Sequence, residues 1–114
     1  MSEPNAIVTV YATFTDVAEA ERIARVVVEE RLAACANLLA PCRSIYRWQG
    51  AVETAEEVPA LFKTRADLAD ILIARIAALH SYDVPAAVAW PIEAAHPPYA
   101  AWVQAETAGP REPS

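Results

Sequence analysis

The chain has 114 residues, a length typical of one domain, and 55% of them are hydrophobic, which excludes disorder of its body. Fifteen acidic residues against nine basic ones give a net charge of −6, which argues against a nucleic-acid partner. No apolar run reaches the ~18 residues of a membrane span, and residues 1–4 lack the pattern of a signal peptide. We therefore predict a cytoplasmic, membrane-free single domain over residues 1–114, with a core at about 7–106 and flexible tails at 1–5 and 108–114.

The first predicted elements are a strand and a helix. The segment from Ile7 to Phe14 is rich in β-branched and aromatic residues and alternates with a period of two, which predicts a strand. Asp16 and Glu19 then form a capping-box pattern, and apolar residues recur at helical spacing as far as about Arg31.

A long hairpin is predicted next. The stretch from Cys35 to Trp48 is expected to be extended, with an interruption at Pro41, because proline lacks the amide donor of a strand. Gln49-Gly50 suits the turn, and the stretch from Val52 to Thr64 returns as the antiparallel partner. Pro59 falls inside this returning strand, which predicts a bulge or a non-pairing position there.

The last third of the chain predicts a helix, a strand and a short helix. Thr64 and Asp67 form a second possible capping box, and the helix that follows ends around His80. The apolar residues 87–92 predict a buried final strand, and a short terminal helix follows Pro97-Pro98. The order predicts an α+β fold, a ferredoxin-like βαββαβ sandwich with a long hairpin between its second and third strands.

Large aromatic residues occupy the face of the predicted sheet that no helix covers. In a ferredoxin-like fold both helices lie on one face, so the other face meets water or another subunit. Tyr11, Tyr46 and Trp48 are unusually large for a wetted surface. We interpret them as oligomer contacts, with scattered exposed aromatic residues as the alternative.

Motifs that carry chemistry are sparse. The two glycines, at 50 and 109, exclude a phosphate-binding loop and a dinucleotide-binding fingerprint. Cys35 and Cys42 match no standard zinc spacing; they are expected to be reduced thiols, although one disulfide remains open. With no catalytic constellation evident, we expect that the protein is not an enzyme.

Two other features could bind a metal. The hairpin carries three carboxylates, Glu53, Glu56 and Glu57, which could bind a hard cation or could simply be solvated or paired with arginine. His80 is expected either to cap its helix or, if folding brings Cys35 near it, to form a soft-metal site.

Several ordered blocks resemble the CutA divalent-ion-tolerance family over about residues 7–104. The blocks are Glu30-Arg31-Leu32-Ala33-Ala34-Cys35-Ala36-Asn37, Ser44-Ile45-Tyr46-Arg47-Trp48-Gln49-Gly50, Glu56-Glu57-Val58, Phe62-Lys63-Thr64, His80-Ser81-Tyr82-Asp83-Val84-Pro85 and Tyr99-Ala100-Ala101-Trp102. The resemblance implies a ferredoxin-like subunit in a homotrimer, similar in architecture to the PII signal-transduction proteins. It also implies a non-enzymatic function in binding or responding to a divalent metal such as copper, with no cofactor required.

The resemblance also implies roles for individual residues. Cys35 and His80 match the proposed metal ligands of the family. Tyr11 stands where some copper-associated members carry a cysteine, so any metal binding is expected to be soft and weak. The cleft between subunits is expected to contain Trp48, Glu57, Lys63 and Tyr82. The alternative function is a PII-like signalling protein that senses a small molecule in these clefts.

Overall fold

The computed structural model describes residues 6–108, so the predicted tails at 1–5 and 108–114 lie outside the described residues except for residue 108. Its elements are β1 (Ile7–Phe14), α1 (Val17–Glu29), β2 (Cys35–Leu38), β3 (Cys42–Trp48), β4 (Ala51–Arg65), a 3₁₀ turn (Ala66–Leu68), α2 (Ala69–Leu79), β5 (Ala87–Pro91) and α3 (Pro97–Glu106). The predicted order of strands and helices is confirmed, including the short terminal helix that begins at the two prolines.

The strands form an antiparallel sheet in the order β2–β4–β1–β5, and β3 continues along β4 beyond β2. If β2 and β3 are taken as one interrupted strand, this is the ferredoxin-like order that the sequence predicts. The interruption includes Pro41, as expected from its missing amide.

Alternation along β1 separates the core, which α1 and α2 cover, from the opposite face of the sheet, on which α3 packs at one end. Val10 and Phe14 are fully buried, as is Phe62 of β4, whose ring makes an edge contact with Phe14 at 6.3 Å between centroids. Ile23 of α1 and Leu72 of α2 close the same cluster from the helical side. Each side chain of this size stabilises the fold by about 1.5–3 kcal/mol on full burial.

The beginning of α1 confirms the predicted cap. The Asp16 carboxylate accepts a hydrogen bond from the Glu19 N–H at 2.8 Å. The Glu19 carboxylate reaches back to the N–H of Thr15, one residue before Asp16, at 3.0 Å. Because both side chains satisfy amides that the helix leaves without partners, the helix begins at a defined residue.

The capping box predicted for α2 is wrong. The Thr64 side chain faces the core, where its hydroxyl donates to the Leu32 carbonyl at 2.7 Å. Asp67 accepts two hydrogen bonds from Arg65 instead, at 2.9 and 2.7 Å. The chain enters α2 through a 3₁₀ turn without a side-chain cap. The pattern of residue types predicted a cap because it does not contain the direction in which the Thr64 side chain points from its strand.

The expected irregularity at Pro59 lies in the neighbouring strands. The Pro59 carbonyl accepts a hydrogen bond from the Leu39 N–H at 2.9 Å. In a strand, the backbone nitrogen and the carbonyl of one residue point to the same side. The missing N–H therefore faces the gap between β2 and β3. The pairing register shifts by one residue there, so residues 39–41 stand opposite residues 58 and 59 of β4. The bulge is confirmed, with its extra residue opposite the proline.

The final strand is exposed, and the prediction that it is buried is wrong for a single chain. Val88 and Trp90 of β5 lie on the face opposite α1 and α2, and their alternation with the smaller Ala89 gives the strand little to pack against these helices. Only one edge of β5 is paired, with β1. A smaller cluster of Ile7, Val103 and their neighbours anchors α3 near the other end of this face.

Candidate functional site

A cavity of about 460 Å³ lies between the β3–β4 hairpin and the loop that joins α2 to β5. This volume is in the range of small-molecule sites in proteins. The cavity is lined by Thr13, Ser44, Tyr46, Arg47, Trp48, Glu57, Tyr82, Asp83, Val84 and Ala86.

The hairpin positions one wall of the cavity. Alternation along β3 places Tyr46 and Trp48 on one face, and Trp48 is paired with the small Ala51 across the hairpin. The two-residue turn has positive φ at both Gln49 and Gly50, 48° and 84°, which is the geometry that matches the twist of a tight hairpin. The aromatic rings are therefore held near the hairpin tip by a short and well-defined turn.

A buried carboxylate and a tyrosine form the floor of the cavity. Glu57 is only 9% exposed, and its Oε2 accepts a hydrogen bond from the Tyr82 hydroxyl at 3.1 Å. Burial and this bond to Glu57 raise the pKa of Tyr82 to about 12. The tyrosine therefore stays protonated and acts as a donor at neutral pH. The other two hairpin carboxylates, Glu53 and Glu56, are exposed.

His80 fixes the position of Tyr82 through its imidazole ring. Its Nε2 donates to the Thr13 carbonyl at 2.7 Å, and its Nδ1 accepts from the Tyr82 N–H at 3.0 Å. The imidazole stacks on Phe14 at 5.1 Å between centroids and lies 4.8 Å from the Tyr82 ring. Because a carbonyl only accepts, this arrangement holds the neutral tautomer with its proton on Nε2. Both ring nitrogens are thereby occupied. His80 is the C-cap residue of α2, as predicted, through its backbone N–H, which donates to the Ala77 carbonyl at 3.4 Å, while its side chain links β1 to the loop.

Glu19 secures the same loop from the beginning of α1. Its Oε2 accepts from the Ser81 N–H at 2.9 Å, while its Oε1 accepts from the backbone and hydroxyl of Thr15. Burial by itself would raise the pKa of Glu19, but the hydrogen bonds from Ser81 and Thr15 outweigh burial and lower this pKa to about 2. The charged carboxylate therefore stabilises the loop that carries Tyr82 and Asp83.

Cys35 lies elsewhere on the sheet, in the first position of β2. Its sulfur is 3.5 Å from the Tyr99 hydroxyl, and burial together with this contact raises the pKa of Tyr99 to about 12. Cys35 and Cys42 are both free thiols, as expected. Cys42 pairs with Glu57 across the hairpin, and its sulfur lies 3.8 Å from the Ser44 hydroxyl.

The structure does not bring Cys35 and His80 together within the chain. Cys35 of β2 and Thr9 of β1 both stand opposite Lys63 of β4. His80 instead contacts Thr13, four residues further along β1. Four strand residues span about 13 Å, so a two-residue metal site in one chain is not formed. Among residues 6–108, no group of three or more His, Cys, Asp and Glu side chains is arranged to hold a metal ion.

Three of the four predicted cleft residues line the cavity, and Lys63 does not. Trp48, Glu57 and Tyr82 are brought together, while the Lys63 ammonium group donates to the Asn37 side chain at 3.4 Å on another part of β4. Sequence reasoning missed Ser44 and Asp83. The period of two on β3 could have identified the first, because it places Ser44 on the face of the hairpin aromatics, but Asp83 carries no signal beyond its position next to Tyr82.

The predicted oligomer-contact residues lie on two elements, β1 and β3. Tyr11 lies on the face opposite α1 and α2, where its ring stacks on Trp90 at 5.3 Å between centroids. Tyr46 and Trp48 are exposed at the cavity. Trp90 and Val88 were missed, because the apolar run of β5 resembles a strand that is buried on both faces.

Comparisons with known proteins agree on one family of sequences and folds. Residues 8–106 match the family model described as CutA1 divalent ion tolerance protein. "Divalent-cation tolerance protein CutA" of Pyrococcus horikoshii is 42% identical over 89% of this chain and 98% of its own length. "Protein CutA" of Mus musculus is 38% identical over 91% of this chain, but the chain spans only 59% of the mouse protein.

Solved structures have the same fold. CutA from Xylella fastidiosa superimposes with a TM-score of 0.86 at 40% identity, covering 89% of this chain and 97% of that one. The structure described as the periplasmic divalent cation tolerance protein CutA from Archaeoglobus fulgidus gives a TM-score of 0.86 at 34% identity, covering 89% and 98%. Within residues 6–108, none of the helices has the length and hydropathy needed to cross a membrane.

Proposed function

The chain belongs to the CutA1 divalent ion tolerance family, and we propose that it serves in tolerance to divalent cations as a homotrimer that catalyses no reaction. The observation that carries this proposal is the match over residues 8–106, joined to 42% identity with a protein named for divalent-cation tolerance. The relatives and structures compared above are CutA proteins, so PII-like signalling is not favoured.

The exposed sheet face supports assembly into a homotrimer. Trp90, which stacks on Tyr11, is 49% exposed, and Val88 beside it on β5 is exposed to a similar degree. Contiguous apolar residues on a sheet face that α1 and α2 leave uncovered are typical of a surface that another subunit covers. Obligate assemblies bury roughly 2,000 Å² or more in total, which a whole sheet face can supply.

Copper, or another divalent cation, is the proposed cargo, and the folded chain needs no resident cofactor. Cys35 is the proposed soft ligand, because its thiol is free and only partly buried on the sheet face opposite α1 and α2, beside Tyr99 of α3. His80 cannot join it in the same chain, since both of its ring nitrogens hold hydrogen bonds. The remaining ligands would come from water or from neighbouring subunits, which makes the binding weak.

A cytoplasmic location is part of the same proposal. Cys35 and Cys42 are both free thiols, which is the state that a reducing compartment maintains. The Archaeoglobus structure carries the word periplasmic in its description, so the location is tested separately, by fractionation of cells that express the chain.

Copper tolerance of living cells tests the proposed function. In a strain without its own gene of this family, the wild-type chain is expected to restore growth in graded copper, and Cys35→Ser is expected to lose this effect. Cys42→Ser is the matched control, because it removes the other free thiol. Equal rescue by both variants would refute the ligand assignment, and no rescue by the wild type would refute the function.

A further inference from the structure

We propose that the cavity at the hairpin binds a small organic cation with a quaternary ammonium group. The cavity combines the carboxylate of Glu57 with the aromatic rings of Tyr46, Trp48 and Tyr82 in about 460 Å³. This inference goes beyond divalent-cation tolerance, and it does not depend on the metal that the protein handles.

Glu57 supplies a negative charge that the protein does not neutralise. Its side chain is 9% exposed, yet within residues 6–108 no arginine, lysine or histidine forms an ion pair with it. Oε2 accepts from the Tyr82 hydroxyl, while Oε1 accepts no hydrogen bond from the described residues. A carboxylate that is largely removed from water is costly unless a cation or several donors meet it. Asp83 adds a second, exposed carboxylate to the lining, where the exposed Arg47 carries the opposite charge, so the buried Glu57 is the group that favours a positively charged occupant.

The aromatic rings supply the surface that a quaternary ammonium group prefers. Tyr46 and Trp48 project from one face of β3, and Tyr82 is held by its hydrogen bond to Glu57 and by contact with His80. The face of an aromatic ring attracts a cation through its quadrupole, by about 0.5–2 kcal/mol for each ring. A quaternary ammonium ion has no N–H to donate, so rings and a nearby carboxylate satisfy it better than hydroxyl groups do.

An anion and a bare metal ion fit the cavity less well. Arg47 borders the cavity, but it alternates with Tyr46 and Trp48 along β3 and is exposed, so water screens its charge. An anion would also have to approach the carboxylate of Glu57. The lining offers a metal ion two carboxylates. Among residues 6–108, no third His, Cys, Asp or Glu side chain is placed to complete a metal site with them.

Calorimetric titration of the full chain with choline chloride tests the proposal. Choline is expected to bind about tenfold or more tightly than its uncharged isostere, in which carbon replaces the nitrogen, because charge recognition is worth at least about 1.4 kcal/mol. Sodium chloride controls for ionic strength. Equal binding of choline and its isostere, no binding of choline, or tighter binding of inorganic phosphate would each overturn the proposal.

Two neighbouring carboxylates provide a matched pair of variants. Glu57→Gln is expected to weaken choline binding by about tenfold or more, because it removes the charge and keeps an oxygen for Tyr82. Glu56→Gln makes the same change in net charge one residue away, on an exposed side chain, and is expected to leave the affinity within about twofold. Equal loss in both variants would overturn the site.

Aromatic and loop variants keep the test decisive if Glu57→Gln does not fold. Trp48→Leu is expected to weaken choline binding by about threefold to thirtyfold and to leave binding of the isostere almost unchanged. Asp83→Asn, in the loop, is expected to weaken choline but not the isostere. If both variants bind choline as the wild type does, the cavity is not the site and the proposal fails.

Discussion

The two halves of β4 have opposite environments although they form one continuous strand. Residues 58–64 lie between β1 and β2 and contribute Phe62 to the core, whereas residues 51–56 pair with β3 and are largely exposed. Residues 58–64, the core half, are stabilised by helices and by strands on both edges. Residues 51–56 belong to a two-stranded ribbon, which is only marginally stable by itself. The comparison teaches that the ribbon and its aromatic residues lie outside the core.

Truncation of the core half is expected to have the largest effect. Phe62→Ala should lower the free energy of unfolding by about 3–5 kcal/mol, because it leaves a cavity against Phe14. Val52→Ala, in the exposed half of the same strand, should change it by less than about 0.5 kcal/mol. Denaturant unfolding at one fixed protein concentration measures both. A similar loss in both variants would show that the ribbon is as tightly packed as the core.

The core half was predictable because local patterns determine it. The period of two in β1 and the apolar spacing of α1 each follow from which side of an element faces the other layer. The turn at Gln49-Gly50 was predictable for the same reason, since few residue pairs tolerate two positive φ angles.

The remaining features depend on contacts that no local pattern contains. The exposure of β5 depends on its edge position, and the distance between Cys35 and His80 depends on how three strands pair. The side chain of Thr64 points into the core, so a correct pattern of residue types predicted a cap that does not exist. The cavity combines residues of the hairpin with a loop some 25 positions later in sequence, the separation of Glu57 and Tyr82.

Disruption of the exposed face is expected to break assembly without unfolding the subunit. Trp90→Lys should shift the mass in solution from about 37 kDa, three times 12.3 kDa, towards the monomer, because it places a charge on the surface proposed to be covered. Ile71→Lys on α2 is the matched control, at 50% exposure on the helical side, and should leave the mass unchanged. Light scattering distinguishes the two. A wild-type mass of 12.3 kDa would contradict the homotrimer directly.

The loop that carries Tyr82 is expected to respond to acid through Glu19. Because folding lowers the pKa of Glu19 from 4.5 to about 2, its contribution to stability is present above pH 4.5 and is lost as the pH falls towards 2. The free energy of unfolding should therefore fall across this range in the wild type and fall less steeply in Glu19→Gln. Asp16→Asn keeps an oxygen at the same helix cap and leaves Glu19 unchanged. The part of the fall in stability with pH that Glu19 causes should therefore be the same in this variant as in the wild type. Parallel pH profiles for wild type and Glu19→Gln would show that the carboxylate does not stabilise the loop.

The smallest expected effect is at the tip of the ribbon. Gly50 has a φ of 84°, and a β-carbon added there would meet no heavy atom within 4 Å. Gly50→Ala should therefore cost only the backbone strain of an L-residue at positive φ, about 1 kcal/mol. Gln49→Asn is the matched change at the other turn residue, and it should stabilise the hairpin slightly, because asparagine adopts positive φ more readily. Denaturant unfolding gives both values. A loss above about 3 kcal/mol in Gly50→Ala would mean that the tip is enclosed in the assembled protein, so this small change also reports whether a neighbouring subunit covers the ribbon.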